Sequence, residues 1–504
     1  MLRRIHFSTL NKFLFVLAVA LLFRLLGIAS RPVWYDEAFS ILFAEKGLRA
    51  MLIGTLAPTG AGTADIHPLG YYSLLWLWMK PFGETLVSVR LFSILASLGT
   101  VALIYHFARG LFNEKIAFAA SLFTALAPFQ VHYAQEIRMY AFLALWLLLA
   151  TYAYWQGART RNWRWWGLFT VSAALAQYTH NLAVFYLIPL ALTLVLYKNW
   201  RALKAVMISG CVAALLYLPW LIHLPAQFAK VNQAYWIERP GPERLFTLLL
   251  TYVINLPLPD GWLLPGTFIA LTAAAIAAWQ TVRAVRQKRE DAGLGLGLAY
   301  LSFTPPLLLF LVSQWRPVYL ERALLPSGAI FCLWLAWALF ATGLPLLIRN
   351  FIITLLLAGA AMGLYQHLTY NGFPYGPYAA LDASLRERFQ PGDVILHSSK
   401  LNFLPAVYYD RTLPQTYIGD PPGSKIDTLA PSTQMVLGLI AKPDIESAIG
   451  EVKRIRFIIF QQSINEYTEI GKNTHPHLLW LDEHYKLREV EDWGSLKVYI
   501  YEKP

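Results

Sequence analysis

The segment Trp34-Tyr35-Asp36-Glu37-Ala38 directly follows the first long apolar run of the chain. A carboxylate is costly inside lipid, so an acidic pair at the point where a greasy segment ends invites a functional reading. Such a group can act as general base toward a hydroxyl. Four further polar clusters carry complementary chemistry: Asp65-Ile66-His67-Pro68, Gln135-Glu136-Ile137-Arg138-Met139-Tyr140, Tyr178-Thr179-His180-Asn181 and Tyr319-Leu320-Glu321-Arg322. Arginine, histidine or a divalent cation holds a phosphate, and Arg138, Arg322, His67 and His180 are candidates of those types. Asp65, Glu136, Tyr140 and Tyr319 stand as supporting groups. Each cluster alone has a plainer reading. Arg138 and Arg322 could be anchors snorkelling to headgroups, Tyr140 and Tyr319 belt aromatics, and Glu136 with Arg138 a local ion pair. Together they fit sugar transfer from a phosphate-linked carrier, which needs a base beside phosphate-holding cations.

The elements that must position them are membrane spans. Of 504 residues, 57% are hydrophobic and only 14% charged, against roughly 25% charged in soluble domains. The formal charge of +12 is spread in short basic clusters between apolar runs. That is the pattern of cytoplasmic loops beside anionic lipid, and it argues against a nucleic-acid partner. Cys211 and Cys332 both lie inside apolar runs and form no metal or redox motif. Arg3, Arg4 and Lys12 resemble the start of a signal peptide. The apolar run that follows is longer than the about 7–15 residues of a cleavable core, which predicts a retained first span.

Runs of near-spanning length occur at 11–29, 86–108, 116–130, 138–156, 164–180, 182–197, 203–222, 262–282, 294–313, 322–341 and 350–367. Residues 68–82 and 243–256 are ambiguous, and positive charge decides them. If neither spans, the cytoplasmic loops hold Arg109 with Lys115, Arg159 with Arg161 and Arg164, Lys198 with Arg201 and Lys204, and the group from Arg283 to Arg289. Counting 68–82 as a span would put three of these clusters outside, against the positive-inside bias. The expectation is therefore eleven spans, a cytoplasmic amino terminus, and two helices lying on the outer face. All five polar clusters then share that face.

From about residue 368 the composition turns globular, punctuated by Gly372, Pro374, Gly376 and Pro377. A helix is predicted at 378–389, with strands at VILHSS, at 454–460, and in a final pair turned at Asp492-Trp493-Gly494. The expected fold is thus an all-α polytopic membrane domain, 1–367, followed by a small extracytoplasmic α/β domain, 368–504.

WYDEA after the first span, DIHPLGYY before a surface helix, HYAQEIRMYAF at the next outer mouth and ERALLP on a late span resemble the GT-C membrane glycosyltransferases. The chain is most similar to the bacterial branch of glycosyltransferase family 39, related to dolichyl-phosphate-mannose–protein mannosyltransferases and the lipid A aminoarabinose transferase. The likeness is good over about residues 1–200, weaker through 340 and general beyond. It implies an integral protein of the bacterial inner membrane that moves a sugar, hexose or pentose, from a polyprenyl-phosphate donor to a protein, lipid or glycan hydroxyl. It further implies Asp36 as catalytic base supported by Glu37, Asp65 and His67 near the donor phosphate with a metal in some relatives, and Glu136 and Arg138 in a QE-x-R motif with Arg138 on the phosphate. Arg322 falls where relatives show Arg-Tyr, also credited with phosphate contact. Leu69 replaces the second proline of HPP, and Ala323 the tyrosine. No cofactor is certain. The competing class is a transporter or flippase. Such proteins keep ionisable residues near mid-bilayer within repeated halves, whereas these charges lie at the rim and no halves repeat.

Overall fold

The computed structural model describes residues 8–60, 62–160, 162–233, 236–420, 429–450 and 452–504. Arg3, Arg4 and Arg161 lie outside them. The amino-terminal part is helical: α1 (Thr9–Leu25), α2 (Tyr35–Ala44), α3 (Leu48–Leu56), α4 (Gly70–Phe82), α5 (Leu86–Leu111), α6 (Glu114–Leu126), α7 (Pro128–Ala134), α8 (Tyr140–Thr160) and α9 (Trp163–Thr179). There follow α10 (Val184–Leu196), α11 (Trp200–Leu221), α12 (Leu224–Gln233), α13 (Glu243–Val253), α14 (Asp260–Arg286), α15 (Ala292–Ser313), α16 (Leu325–Phe340) and α17 (Leu346–Thr369).

Each of the eleven predicted runs is helical. Among the described residues, however, seven helices are long and apolar enough to cross a membrane, or eight if the bent pair α6–α7 is one span. The difference from eleven is one of length. Helices α1 and α9 have 17 residues each, about 26 Å at 1.5 Å per residue, just under the thickness of a hydrocarbon core. The α6–α7 pair bends by 59° where Pro128 opens α7, because proline has no N–H to continue the helical ladder. These helices make the chain an integral membrane protein. The two ambiguous segments are α4 and α13, 13 and 11 residues long and too short to span.

Helix α16 is the axis of the bundle. Its spanning window is 94% buried, as expected of a helix apolar on every side. Small residues let other helices approach closely. A Cβ on Gly70, at the start of α4, would lie 2.5 Å from the Tyr178 carbonyl oxygen, so only glycine permits that contact.

The carboxyl-terminal part holds α18 (Tyr378–Arg388), β3 (Asp393–His397), α19 (Lys400–Tyr409), β4 (Gln415–Tyr417), α20 (Pro431–Leu437), β5 (Arg454–Phe460), β6 (Lys486–Trp493) and β7 (Leu496–Glu502), with β1 and β2 being two-residue strands at 58–59 and 62–63. The sheet runs β4-β3-β5-β7-β6, parallel among the first three and antiparallel beyond. Strands β3 and β5 are nearly continuous apolar runs because both faces are covered. Ile395 and Ile458 enter one core cluster while Leu396, Phe457 and Ile459 enter the other. This unit sits on the first loop of the membrane part. Helix α19 packs on α2 and α20 on α3, the Tyr409 hydroxyl accepts from the Val33 amide at 3.0 Å, and Thr433 donates to the Gly54 carbonyl at 2.7 Å.

Candidate active site

Asp36 lies in the first turn of α2, and its carboxylate forms ion pairs with two arginines from distant parts of the chain. Oδ2 stands 3.2 Å from Arg322 Nη1 and 3.6 Å from Arg138 Nε. Arg322 is carried on a 3-10 turn that leads into α16, so the most buried helix fixes its position. Arg138 sits between α7 and α8, where its Nη1 donates to the Tyr72 hydroxyl at 3.0 Å and to Ser40 Oγ at 3.2 Å. Aromatic rings enclose the Arg322 guanidinium, with Tyr140 at 5.0 Å, Trp34 at 5.6 Å and Trp236 at 5.8 Å. Such cation–π contacts hold the charge without saturating its N–H donors.

The pairing leaves hydrogen-bonding capacity unused. Among the described residues, Arg138 Nε, Arg322 Nε, Asp36 Oδ2 and the Tyr140 hydroxyl are buried without a hydrogen-bond partner. Buried polar groups are almost always satisfied, so four orphans around one point indicate a place where a ligand's oxygens belong. They border a cavity of about 410 Å³ whose walls include Asp36, Asp65, His67, Arg138, Tyr140 and Arg322, within the size range of small-ligand sites.

Asp65 and His67 are bonded to each other on this wall. Asp65 Oδ1 accepts from His67 Nδ1 at 2.9 Å, from the His67 amide at 3.2 Å and from the Ile66 amide at 2.5 Å. Burial would raise the Asp65 pKa, but His67, Lys230 and the Ile66 amide together hold it well below the ordinary carboxylate value. Among the described residues no three histidine, cysteine or acidic side chains are arranged to hold a metal ion. Asp65 Oδ1 and His67 Nδ1 are thus engaged with one another.

Four of the expected site residues lie elsewhere. Glu37 points away from the cavity and pairs with Arg90 at 3.1 Å, both side chains being 1% exposed. Its Oε1 also accepts from the Ile137 amide at 3.1 Å, fastening the first loop to the QE-x-R segment. Arg90 completes the clamp by donating to the Ile28 and Arg31 carbonyls at 2.7 and 2.8 Å. Glu136 lies behind the wall with His132 at 3.3 Å. Burial pushes the Glu136 carboxyl above its ordinary value, despite Arg322 and Arg31 nearby. His180 caps the end of α9, its Nδ1 accepting from the Leu182 amide at 3.1 Å. Tyr319 is buried against Phe310.

His180 instead lines a second cavity of about 580 Å³, largely apolar, between α9, α10, α11 and α12. His67 borders both spaces and so marks where the polar chamber meets the greasy groove. Sequence reasoning missed Arg90, Lys230 and Lys400. Arg90 lies inside a spanning run, and the two lysines are far from any motif, so local pattern gave no signal for them.

Residues 66–223 match the family described as dolichyl-phosphate-mannose-protein mannosyltransferase. The chain is 26% identical over 387 residues to undecaprenyl phosphate-alpha-4-amino-4-deoxy-L-arabinose arabinosyl transferase 2 of Pseudomonas fluorescens, covering 72% of this chain and 63% of that protein. The chain thus spans under two thirds of that relative's length. The fold is similar to that of ArnT from Cupriavidus metallidurans in the apo state, with TM-score 0.63, 14% identity and 97% coverage of both chains. The archaeal oligosaccharyltransferase AglB from Archaeoglobus fulgidus, in complex with an inhibitory peptide and a dolichol-phosphate, matches with TM-score 0.54 and 11% identity over 97% of this chain and 74% of that one.

Proposed function

We propose, for a chain of GT-C type and glycosyltransferase family 39-like character, that it transfers a sugar with inversion from a polyprenyl-phosphate donor to an acceptor hydroxyl at the outer face of the bacterial inner membrane. The observation that carries this reading is the Asp36 carboxylate set between Arg138 and Arg322 with their Nε donors unsatisfied. A donor phosphate entering the cavity takes up those donors and competes with Asp36 for the two guanidiniums. The carboxylate released from them is free to accept a proton. The acceptor hydroxyl gives its proton to Asp36 as its oxygen bonds to the anomeric carbon. The bond from that carbon to the phosphate oxygen breaks with its electron pair, and polyprenyl phosphate leaves, its charge met by Arg138 and Arg322. The apolar groove beyond His67 offers a path for the lipid tail. Two of the similar proteins support the donor class by their names and ligands. One is an undecaprenyl phosphate-aminoarabinose transferase, and ArnT has been crystallised bound to undecaprenyl phosphate.

The test is to incubate the purified protein with radiolabelled polyprenyl-phosphate sugars and measure released polyprenyl phosphate. Release that depends on Asp36 supports the transferase. A carrier would move the lipid intact and release none. Cysteine labelling from outside the cell at residues 60 and 133 tests the outer-face assignment.

A further inference from the structure

Behind the cavity wall lies a cluster of titratable side chains that the reaction above does not use. It gathers Arg31 from the loop after α1, His132 in α7, Gln135 and Glu136 just beyond it, and His367 from α17. Gln135, Glu136 and His367 are buried, and their contacts fix where the hydrogens lie. Gln135 Nε2 donates to the Arg24 and Leu26 carbonyls at 2.8 and 2.7 Å. Its amide oxygen is therefore the acceptor 2.9 Å from His367 Nε2, and that nitrogen carries a hydrogen. His367 Nδ1 is bare, because Arg31 Nη1 donates to it at 3.2 Å. His132 Nδ1, 3.3 Å from that same bare nitrogen, must be a donor. His132 Nε2 is then bare in its turn and accepts from Arg31 Nη2 at 3.4 Å. The opposite tautomer would set two bare nitrogens together and turn an N–H toward the guanidinium.

The bare His132 Nε2 also stands 3.3 Å from Glu136 Oε1. Two acceptors at that separation repel, whereas a carboxyl O–H joins them. Glu136 Oε2 is buried without a hydrogen-bond partner among the described residues, a costly state for an ionised carboxylate. The contacts thus favour a protonated Glu136.

That proton sets the charge of the site. Asp36 is flanked by Arg138 and Arg322. Asp65 is matched by His67 and Lys230, and Glu37 by Arg90. Arg31 is not part of the cavity wall, and the Tyr375 ring and both histidine lone pairs face its charge. With Glu136 uncharged, the two arginines exceed Asp36 by one positive charge, the complement of a singly charged sugar phosphodiester. After transfer Asp36 holds a proton, and the leaving monoester carries about two negative charges, which the two guanidiniums again balance. The charges acting on Glu136 come from Arg322, Arg31, Arg138 and Asp36. Tyr133 and Tyr140 also face it. Of these Arg322 acts most strongly, so an ionised Glu136 would draw on the cation that the phosphate needs.

We propose that Glu136 is a positioning residue that stays uncharged, donating its carboxyl hydrogen to His132 Nε2, so that Arg138 and Arg322 keep their excess charge for the donor phosphate. This rests on the donor assignment above. Ionising Glu136 turns Arg322 toward it and weakens the hold on the phosphate.

Infrared spectra of the full chain in maltoside detergent, which has no carbonyl group, read the proton directly. At pH 7 the wild type should show the C=O stretch of a protonated carboxyl that Glu136→Gln lacks. In His132→Phe that band should move to the position of an unbonded carboxyl. Binding is read by titrating the chain in nanodiscs with undecaprenyl phosphate from pH 7 to 9.5, where the lipid's phosphate stays doubly charged. Wild-type affinity should fall about tenfold over that range, the scale of one lost charge-assisted contact, and the fall should vanish in Glu136→Gln. A carboxyl band identical in wild type and Glu136→Gln, or unmoved in His132→Phe, overturns the proposal. So does an equal fall in wild type and Glu136→Gln, or a loss of affinity in Glu136→Gln at every pH, as a merely structural residue would give. Failure of the wild type to bind undecaprenyl phosphate at any pH would instead refute the donor assignment.

Discussion

The Arg322 guanidinium stands 3.2 Å from the Asp36 carboxylate, which ties the loop after the first helix to the head of the most buried helix in the bundle. In the proposed reaction, an acid held by two cations at rest is released when an anion of the substrate draws the cations away. Asp36→Asn is nearly the same size and leaves both arginines in place. Transfer should therefore fall 10²–10⁴-fold, the usual scale for loss of a general base, while undecaprenyl-phosphate binding persists or strengthens. Initial rates and a binding titration on the same preparation check both halves.

Arg138 and Arg322 should behave differently from Asp36. On the proposed reading, replacing either by alanine removes donors assigned to the phosphate, so undecaprenyl-phosphate affinity should drop by about tenfold or more. Arg322→Lys should recover only part of this. A lysine keeps the charge but loses the flat face that sits against Tyr140 and Trp34. Calorimetry on the three variants tests the order.

Glu37 has a structural effect to be measured. Its pair with Arg90 is buried on both sides, and removing one partner strands the other charge. Arg90→Met alone should cost about 3–5 kcal/mol and lower the melting temperature in detergent. The double variant Glu37→Gln with Arg90→Met should recover part of the loss. A single variant as stable as wild type would contradict the clamp.

The apolar groove beyond His67, the proposed path of the lipid tail, can be filled from inside. Gly210 borders it, and a Cβ there meets nothing within 4 Å. Gly210→Trp should occupy the space and weaken undecaprenyl-phosphate binding without unfolding α11. Thermal melts and lipid titration together distinguish occlusion from damage.

Asp382, in α18, gives a pH signature. Neither of its carboxyl oxygens has a hydrogen-bond partner among the described residues. Burial, with Asp410 nearby and against the pull of Arg386, raises its pKa from 3.8 to about 8. The unfolded chain ionises this group above 3.8 while the folded chain keeps it neutral up to about 8. Folding therefore becomes less favourable as pH climbs through that window. Asp382→Asn should stabilise the protein at pH 7–8 and flatten the slope, as read by melts across pH 4 to 9.

The helices were legible in the sequence because apolar length and the placement of Arg and Lys are properties of short windows. The same holds for β5, whose run Arg454–Phe460 announces itself. Asp36, Asp65, His67, Arg138, Tyr140 and Arg322 could be gathered from motif and spacing, and the structure puts all six on one cavity. Glu37 could not be separated from Asp36 by type. Neighbours on a helix point about 100° apart, and only the position of Arg90 decides which one faces inward. Lys400 Nζ and Asp420 Oδ2, 2.7 Å apart, were invisible for a different reason. Their meeting depends on how α19 and the segment after β4 pack, which no local pattern encodes.

Because the cavity is lined both by the membrane part, with Asp36, Arg138 and Arg322, and by the carboxyl-terminal unit, with Leu401 and Thr433, the proposed reacting centre and the wall opposite it can change independently. Substitutions along α19 could retune which molecules are admitted while Asp36 and its arginines stay untouched. A lineage could in this way acquire new targets by remodelling its surface unit, with the bond-making apparatus inherited whole.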